Sequence, residues 1–192
     1  MHRGLRALSH PSRTLDRLRT VVLGPPSQEL EQLIESRRTA GADRYDEVWE
    51  GDYHMAPIVR GAHGLLDGEM AALLRPLARR AGLYASGGFN LGEPDNYRVP
   101  DRGIHRKRSN VAWFPTAALV VEIVSPDDES WAKLPFYAAH DVDEVVIADA
   151  RDQSLAWLRL DAGEYRTVER SVLLDVDVAE FATQIDWPPT DG

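Results

Sequence analysis

Ala117-Ala118-Leu119-Val120-Val121-Glu122-Ile123-Val124-Ser125-Pro126 is the stretch on which the reading of this chain turns. An almost unbroken, β-branched apolar run of this length marks a strand buried on both faces. Glu122 interrupts it. An unpaired carboxylate in such a strand costs several kcal/mol, so it needs a cation or strong hydrogen-bond donors. Two explanations stay open at this point. Glu122 is paired with an arginine or faces solvent at the strand end, or it is a metal ligand.

Working outward, Ser125-Pro126-Asp127-Asp128 is a cap region for a helix over 129–139, and Glu144–Asp149 reads as the next strand. A strand–helix–strand unit of this size implies a parallel crossover. Pro135 is tolerable there only in a first turn or at a kink. Upstream, Leu65, Leu66, Met70, Leu73, Leu74 and Leu77 form one face of a helix over 62–81, ended by Gly82, in which Pro76 predicts a kink or break. Strands are expected over 83–89 and 97–104. Two more, 46–50 and 53–57, flank Gly51-Asp52, and short ones cover 156–160 and 165–168. Ser27 caps a helix over 27–40. Residues 1–26, closed by Gly24-Pro25-Pro26, read as a loosely ordered basic arm, 27–186 as one domain and 187–192 as a tail. The architecture is α/β, a central mixed sheet flanked by helices.

Val99-Pro100-Asp101 places a second carboxylate in an extended segment, twenty-one residues before Glu122. That spacing allows a loop and a return on an adjacent strand. Two carboxylates on neighbouring strands can share one hard cation such as Mg²⁺, which binds oxygen at ~2.1 Å and keeps several waters. The plain alternative for Asp101 is a Pro-Asp turn. Lys133, eleven residues after Glu122, lies on the helix that packs back over the sheet. Its ammonium could steady an attacking water or a pentavalent phosphorus. Tyr137, at i+4, shares its face.

This constellation resembles the PD-(D/E)xK nuclease signature, and more specifically the Uma2 family of restriction-endonuclease-like proteins. Leu119 to Pro126, then Lys133-Leu134-Pro135-Phe136-Tyr137-Ala138-Ala139-His140, carry the likeness. So do Asp46-Glu47-Val48-Trp49-Glu50-Gly51, Met55-Ala56-Pro57, His63 and Asp95 to Asp101. The resemblance implies a restriction-endonuclease-like fold, a divalent metal (Mg²⁺ or Mn²⁺) held by Asp101 and Glu122, Lys133 as catalytic lysine, and DNA as substrate. Glu47 and His63 match an acid and a histidine of the family and are auxiliary candidates. Two departures stand out. Val124 occupies the position of the superfamily's strand lysine, and Asp141 stands where a turn glycine is usual.

The net charge of −9 argues against nucleic acid. Its distribution is more permissive. Residues 1–26 carry five arginines against Asp16, and 102–108 carry Arg102, Arg106, Lys107 and Arg108 without an acid. This second cluster suits phosphate contacts. Trp113 and Phe114 could stack on bases, or anchor the loop as a small apolar contact. No apolar run approaches the ~18 residues of a membrane span, and the arginine-rich start lacks the apolar segment of a secretory signal. With no cysteine, disulfides and thiolate metal sites are excluded and a cytoplasmic setting is the simplest.

The expectation is therefore a metal-dependent DNA endonuclease, dimeric because one site cuts one strand. Its rivals are an inactive nuclease-fold protein that binds nucleic acid or a partner protein, and a metallohydrolase of free nucleotides.

Overall fold

The computed structural model describes residues 20–22, 27–56, 61–125 and 129–189. Among the described residues, fourteen strands and four α-helices follow one another: β1 Thr20–Val22, α1 Gln28–Thr39, β2 Glu47–Trp49, β3 Asp52–Met55, α2 Gly61–Arg80, β4 Tyr84–Ser86, β5 Asn90–Glu93, β6 Asn96–Arg98, β7 Arg102–His105, β8 Trp113–Phe114, β9 Leu119–Ile123, α3 Leu134–Ala139, β10 Glu144–Asp149, β11 Ser154–Asp161, β12 Glu164–Thr167, β13 Arg170–Ser171, β14 Val176–Asp177 and α4 Val178–Thr183. A 3-10 turn, Ser130–Lys133, leads into α3.

The strands form two six-stranded mixed sheets, ordered β1-β3-β2-β6-β5-β8 and β12-β11-β10-β9-β7-β4, plus the hairpin β13-β14. In the second sheet β9 and β10 run parallel, as a crossover through α3 requires. Strand β9 is buried along its whole length and its side chains alternate between two cores. Leu119, Val121 and Ile123 face Leu66, Met70, Leu74 and Ala78 of α2. Val120 faces the other way, toward Phe136 and Tyr137 of α3 and Leu91 of β5. Period-two alternation then sends Glu122 to the α3 side.

Several expectations need correction. The strand expected over 97–104 is two strands in different sheets, β6 and β7, because Pro100 cannot donate to a ladder and the chain changes sheet at Val99-Pro100-Asp101. The strand expected over 83–89 shrinks to β4, and the chain then crosses to β5. Helix α2 runs unbroken past Pro76, whose ring is on the exposed side, since the packed Leu66–Ala78 stripe outweighs one missing hydrogen bond. The single helix expected over 129–139 is a 3-10 turn followed by α3, with Pro135 in the first turn of α3 where its absent N–H is harmless. Within the basic arm, residues 20–22 form β1, paired with β3, while the rest of that arm lies outside the described residues. In the tail, Trp187 packs against the α2-side core, and residues 190–192 lie outside the described residues. Asp141 adopts φ +51°, so it takes the left-handed turn after α3 that glycine usually supplies.

Candidate active site

Strand register brings the two main carboxylates together. Strand β7 pairs antiparallel with β9 as Arg102↔Val121, Gly103↔Val120 and Ile104↔Leu119. Asp101 immediately precedes β7, which puts it beside the end of β9 that carries Glu122. Asp101 Oδ2 accepts from the Ile123 N–H at 2.7 Å, which ties the loop after β6 to the end of β9. Its Oδ1 lies 3.1 Å from His63 Nε2, near the start of α2.

Lys133 ends the 3-10 turn and Tyr137 sits one turn further into α3, so both reach the same side of β9. Lys133 Nζ donates to both oxygens of Glu122, at 3.2 and 3.0 Å. The Tyr137 hydroxyl donates to Glu122 Oε1 in a short hydrogen bond. From the first sheet, Glu47 Oε1 lies 2.8 Å from Lys133 Nζ. Glu47 is held in turn by the Val99 N–H at 2.8 Å and the Trp49 indole N–H at 2.7 Å. Glu47, Lys133, Glu122 and Tyr137 thus form one network, and Asp101 and His63 form a second pair tied to β9 by the Ile123 N–H. Val124, in the strand-lysine position, packs with the apolar α3-side core, and Lys133 supplies the ammonium from outside the strand.

Burial sets the electrostatics. Side-chain exposure rises from 4% at Glu122 to 12% at Lys133, 15% at His63 and 19% at Asp101, so the network opens to solvent on its Asp101–His63 side. Burial pushes the Glu122 carboxyl up to about 8 against the pull of Lys133, with repulsion from Asp101 and Glu47 adding to it. Burial opposes the Lys133 charge too, but Glu122 and Glu47 outweigh it and hold the ammonium above its usual range. Burial lowers the His63 imidazole, and Asp101 more than compensates.

This donor set suits a hard divalent cation. Three carboxylates lie near one lysine and one histidine, and burial first, then repulsion from Asp101 and Glu47, makes Glu122 give up its proton only late. Asp101 and Glu122 would hold the ion, with Glu47 behind them. Among the described residues no three carboxylate or imidazole groups converge as a ready-made cluster. Two carboxylates plus waters are the usual complement of Mg²⁺.

The basic cluster divides. Arg102 turns to the α2 side and pairs with Asp67, its Nε 2.8 Å from the Asp67 carbonyl and its Nη2 2.7 Å from the carboxylate. Arg106 pairs with Asp143. Lys107 and Arg108 are exposed, Arg108 over the Tyr84 ring at 5.0 Å. Residues 106–108 follow the far end of β7, roughly 15 Å or more from Asp101 at ~3.3 Å per residue. Phe114 packs edge-on against Phe89, so this pair anchors its loop.

Two participants escaped the sequence reading. Trp49 and Arg98 have no catalytic chemistry of their own and read as strand residues. The only available signal was the Glu47-x-Trp49 spacing, which puts both on one face of β2.

The mixed sheets, the crossover through α3 and a carboxylate–lysine site at a strand end define a restriction-endonuclease-like fold. The structure is similar to that of a protein described as a "putative nuclease belonging to DUF820" from Anabaena variabilis, with a TM-score of 0.59 and 15% identity over 72% of this chain and 90% of the other. Residues 28–185 match the model of the Uma2 family, described as "Putative restriction endonuclease", and the chain belongs to that family. No curated protein matches the chain.

Proposed function

We propose that this protein is a metal-dependent endonuclease that hydrolyses phosphodiester bonds of DNA. The observation that carries the reading is Asp101 bonded to the Ile123 N–H, next to Glu122, with the Lys133 ammonium bonded to both Glu122 oxygens. Asp101 and Glu122 would hold a Mg²⁺ or Mn²⁺ ion, which would supply positive charge to the phosphoryl group and acidify a bound water. Lys133, fixed by two carboxylates, presents a permanent charge where negative charge accumulates on phosphorus oxygens. Tyr137 and Glu47 restrict the rotamers of Glu122 and Lys133. His63 orients Asp101 at the solvent-facing side, where a strand's phosphate can approach. Lys107 and Arg108, at the far end of β7, make backbone contacts roughly 15 Å or more along the duplex from the cleaved bond, at ~3.3 Å per residue of strand. Two copies acting on opposite strands give duplex cleavage.

The test is cleavage of supercoiled plasmid with Mg²⁺, Mn²⁺ or chelator, comparing wild type with Asp101→Ala. Nicked and linear products only with metal and only from wild type are expected. If wild type leaves plasmid, single-stranded DNA and RNA intact with every metal, the nuclease reading falls and a binding role replaces it. Cleavage of free nucleotides alone would favour a small-molecule hydrolase.

A further inference from the structure

Arg98, at the end of β6, is only 3% exposed, and its guanidinium lies between two aromatic rings. Its Cζ is 4.2 Å from the centre of the Trp49 ring and 4.1 Å from that of Phe136. The stack continues at both ends: Trp49 lies 4.5 Å from the His54 ring, and Phe136 lies 4.0 Å from the His140 ring. A column of five flat groups therefore runs from β3, through β2 and β6, to α3. It joins the first sheet to the helix that carries Tyr137.

Two members of this column connect directly to the site. Trp49 donates its indole N–H to Glu47, which holds Lys133. Phe136 precedes Tyr137, which donates to Glu122. We propose that Arg98 is a positioning residue of this site, its guanidinium clamping Trp49 against Phe136 so that Glu47 and Glu122 both stay within reach of Lys133.

The chemistry favours this over simple packing. Burying a guanidinium is costly, and an apolar side chain of similar volume would fill the gap at less expense. Only a flat cation stacks on both faces while its edge bonds in plane. The Arg98 edge does so: Nη1 donates to the Val48 carbonyl at 3.0 Å and to Asn96 Oδ1 at 3.1 Å, and Nη2 to Glu50 at 3.2 Å. The Val48 bond grips the backbone between Glu47 and Trp49.

The catalytic arm of the test rests on the nuclease reading, and the structural arm does not. In Arg98→Lys, which keeps the charge but loses the plane, exchange of the Trp49 indole proton accelerates at least tenfold by NMR, while β9 and β10 amides keep their protection. Plasmid-nicking kcat falls about 10- to 100-fold at unchanged KM, as for loss of a supporting contact. Trp49→Phe keeps the ring and loses the donor. It gives the same kcat loss, and the double variant falls no further, because both act on one contact. Glu50→Gln, which keeps an acceptor for Arg98 and removes only an exposed charge, leaves both readouts at wild-type values. Unchanged indole exchange in Arg98→Lys, parallel loss of core amide protection, or additive losses in the double variant overturns the proposal. If wild type cleaves nothing, the indole exchange still decides the role of Arg98. If Arg98→Lys does not fold, wild-type kcat in Trp49→Phe refutes it.

Discussion

Glu144 tests the distinction between a buried carboxylate proposed to do chemistry and one that holds the fold. It is completely buried at the start of β10, next to the strand that carries Glu122. Its partners are neutral. Oε2 accepts from Trp157 Nε1 at 2.7 Å and Ser171 Oγ at 2.6 Å. Oε1 accepts from the N–H groups of Val172 and Leu173 at 3.1 and 3.2 Å. In Glu144→Gln, one oxygen serves four donors. The amide keeps that oxygen on the shorter pair, and its NH₂ confronts two backbone N–H groups beside the exposed Val172. Hydrogen bonds to a charged group contribute about 1.5–3 kcal/mol each, against about 1 kcal/mol for neutral ones. Two bonds lost with partial rescue by water, and two weakened, give a destabilisation of about 3 kcal/mol. Glu144→Leu strands the buried indole and hydroxyl donors as well, and loses about 4–5 kcal/mol at roughly 1–3 kcal/mol per orphaned group plus the outer bonds. Urea denaturation with an unchanged m-value reads both. Below the transition, plasmid nicking by Glu144→Gln stays at the wild-type rate. A glutamine variant within about 0.5 kcal/mol of wild type, the spread of neutral surface changes, would refute the reasoning. So would a leucine variant more stable than the glutamine one.

Other expectations follow from the same geometry. Lys133→Met removes the charge between Glu47 and Glu122, and kcat drops about 100- to 1000-fold, the scale for loss of one group that stabilises developing charge. Single-turnover cleavage reads that drop. The Glu122 carboxyl sits at about 8, above its ordinary 4.5, so its neutral form is favoured in the folded protein. Without metal, its contribution to stability is greatest below pH 4.5 and is lost as pH rises through about 8. On the proposed metal reading, loading a cation displaces that proton, so Mg²⁺ affinity is expected to rise with pH, close to tenfold per unit below about 8, with one proton released in calorimetry across buffers. Gly92→Ala places a methyl group 2.9 Å from Phe136 Cζ at φ +119°. It destabilises by about 2 kcal/mol or more, by overpacking and backbone strain, in thermal melts.

The candidate site was legible where chemistry leaves a local mark. A carboxylate inside Leu119–Val124 is anomalous in one dimension, and so is an acid after Pro100 or a lysine at the start of a crossover helix. The family likeness added Glu47 and His63. Hydrophobic period also placed α1, α2, β9 and β10 close to their actual bounds. Residues whose role depends on a partner distant in sequence left no such mark. Arg98 is one more strand arginine until Trp49 and Phe136 close on it, forty-nine positions before and thirty-eight after. Glu144 shows the limit of the rule that flagged Glu122, because the two acids lie on neighbouring buried strands with different partners, a lysine for Glu122 and neutral donors alone for Glu144. Arg102 looked like part of a basic loop until alternation along β7 turned it to Asp67.

By itself the sequence determined which segments can be buried, since apolar periodicity is a property of neighbours along the chain. It also determined which side chains are chemically out of place there. Tertiary structure alone decided the break of 97–104 into two sheets, the pairing of β7 with β9 that brings Asp101 beside the strand of Glu122, and the stack that reaches from His54 to His140. Those depend on which distant surfaces pack and on hydrogen bonds between strands far apart in order. The free energy of such contacts resides in pairs of residues, and no single stretch of chain contains both members.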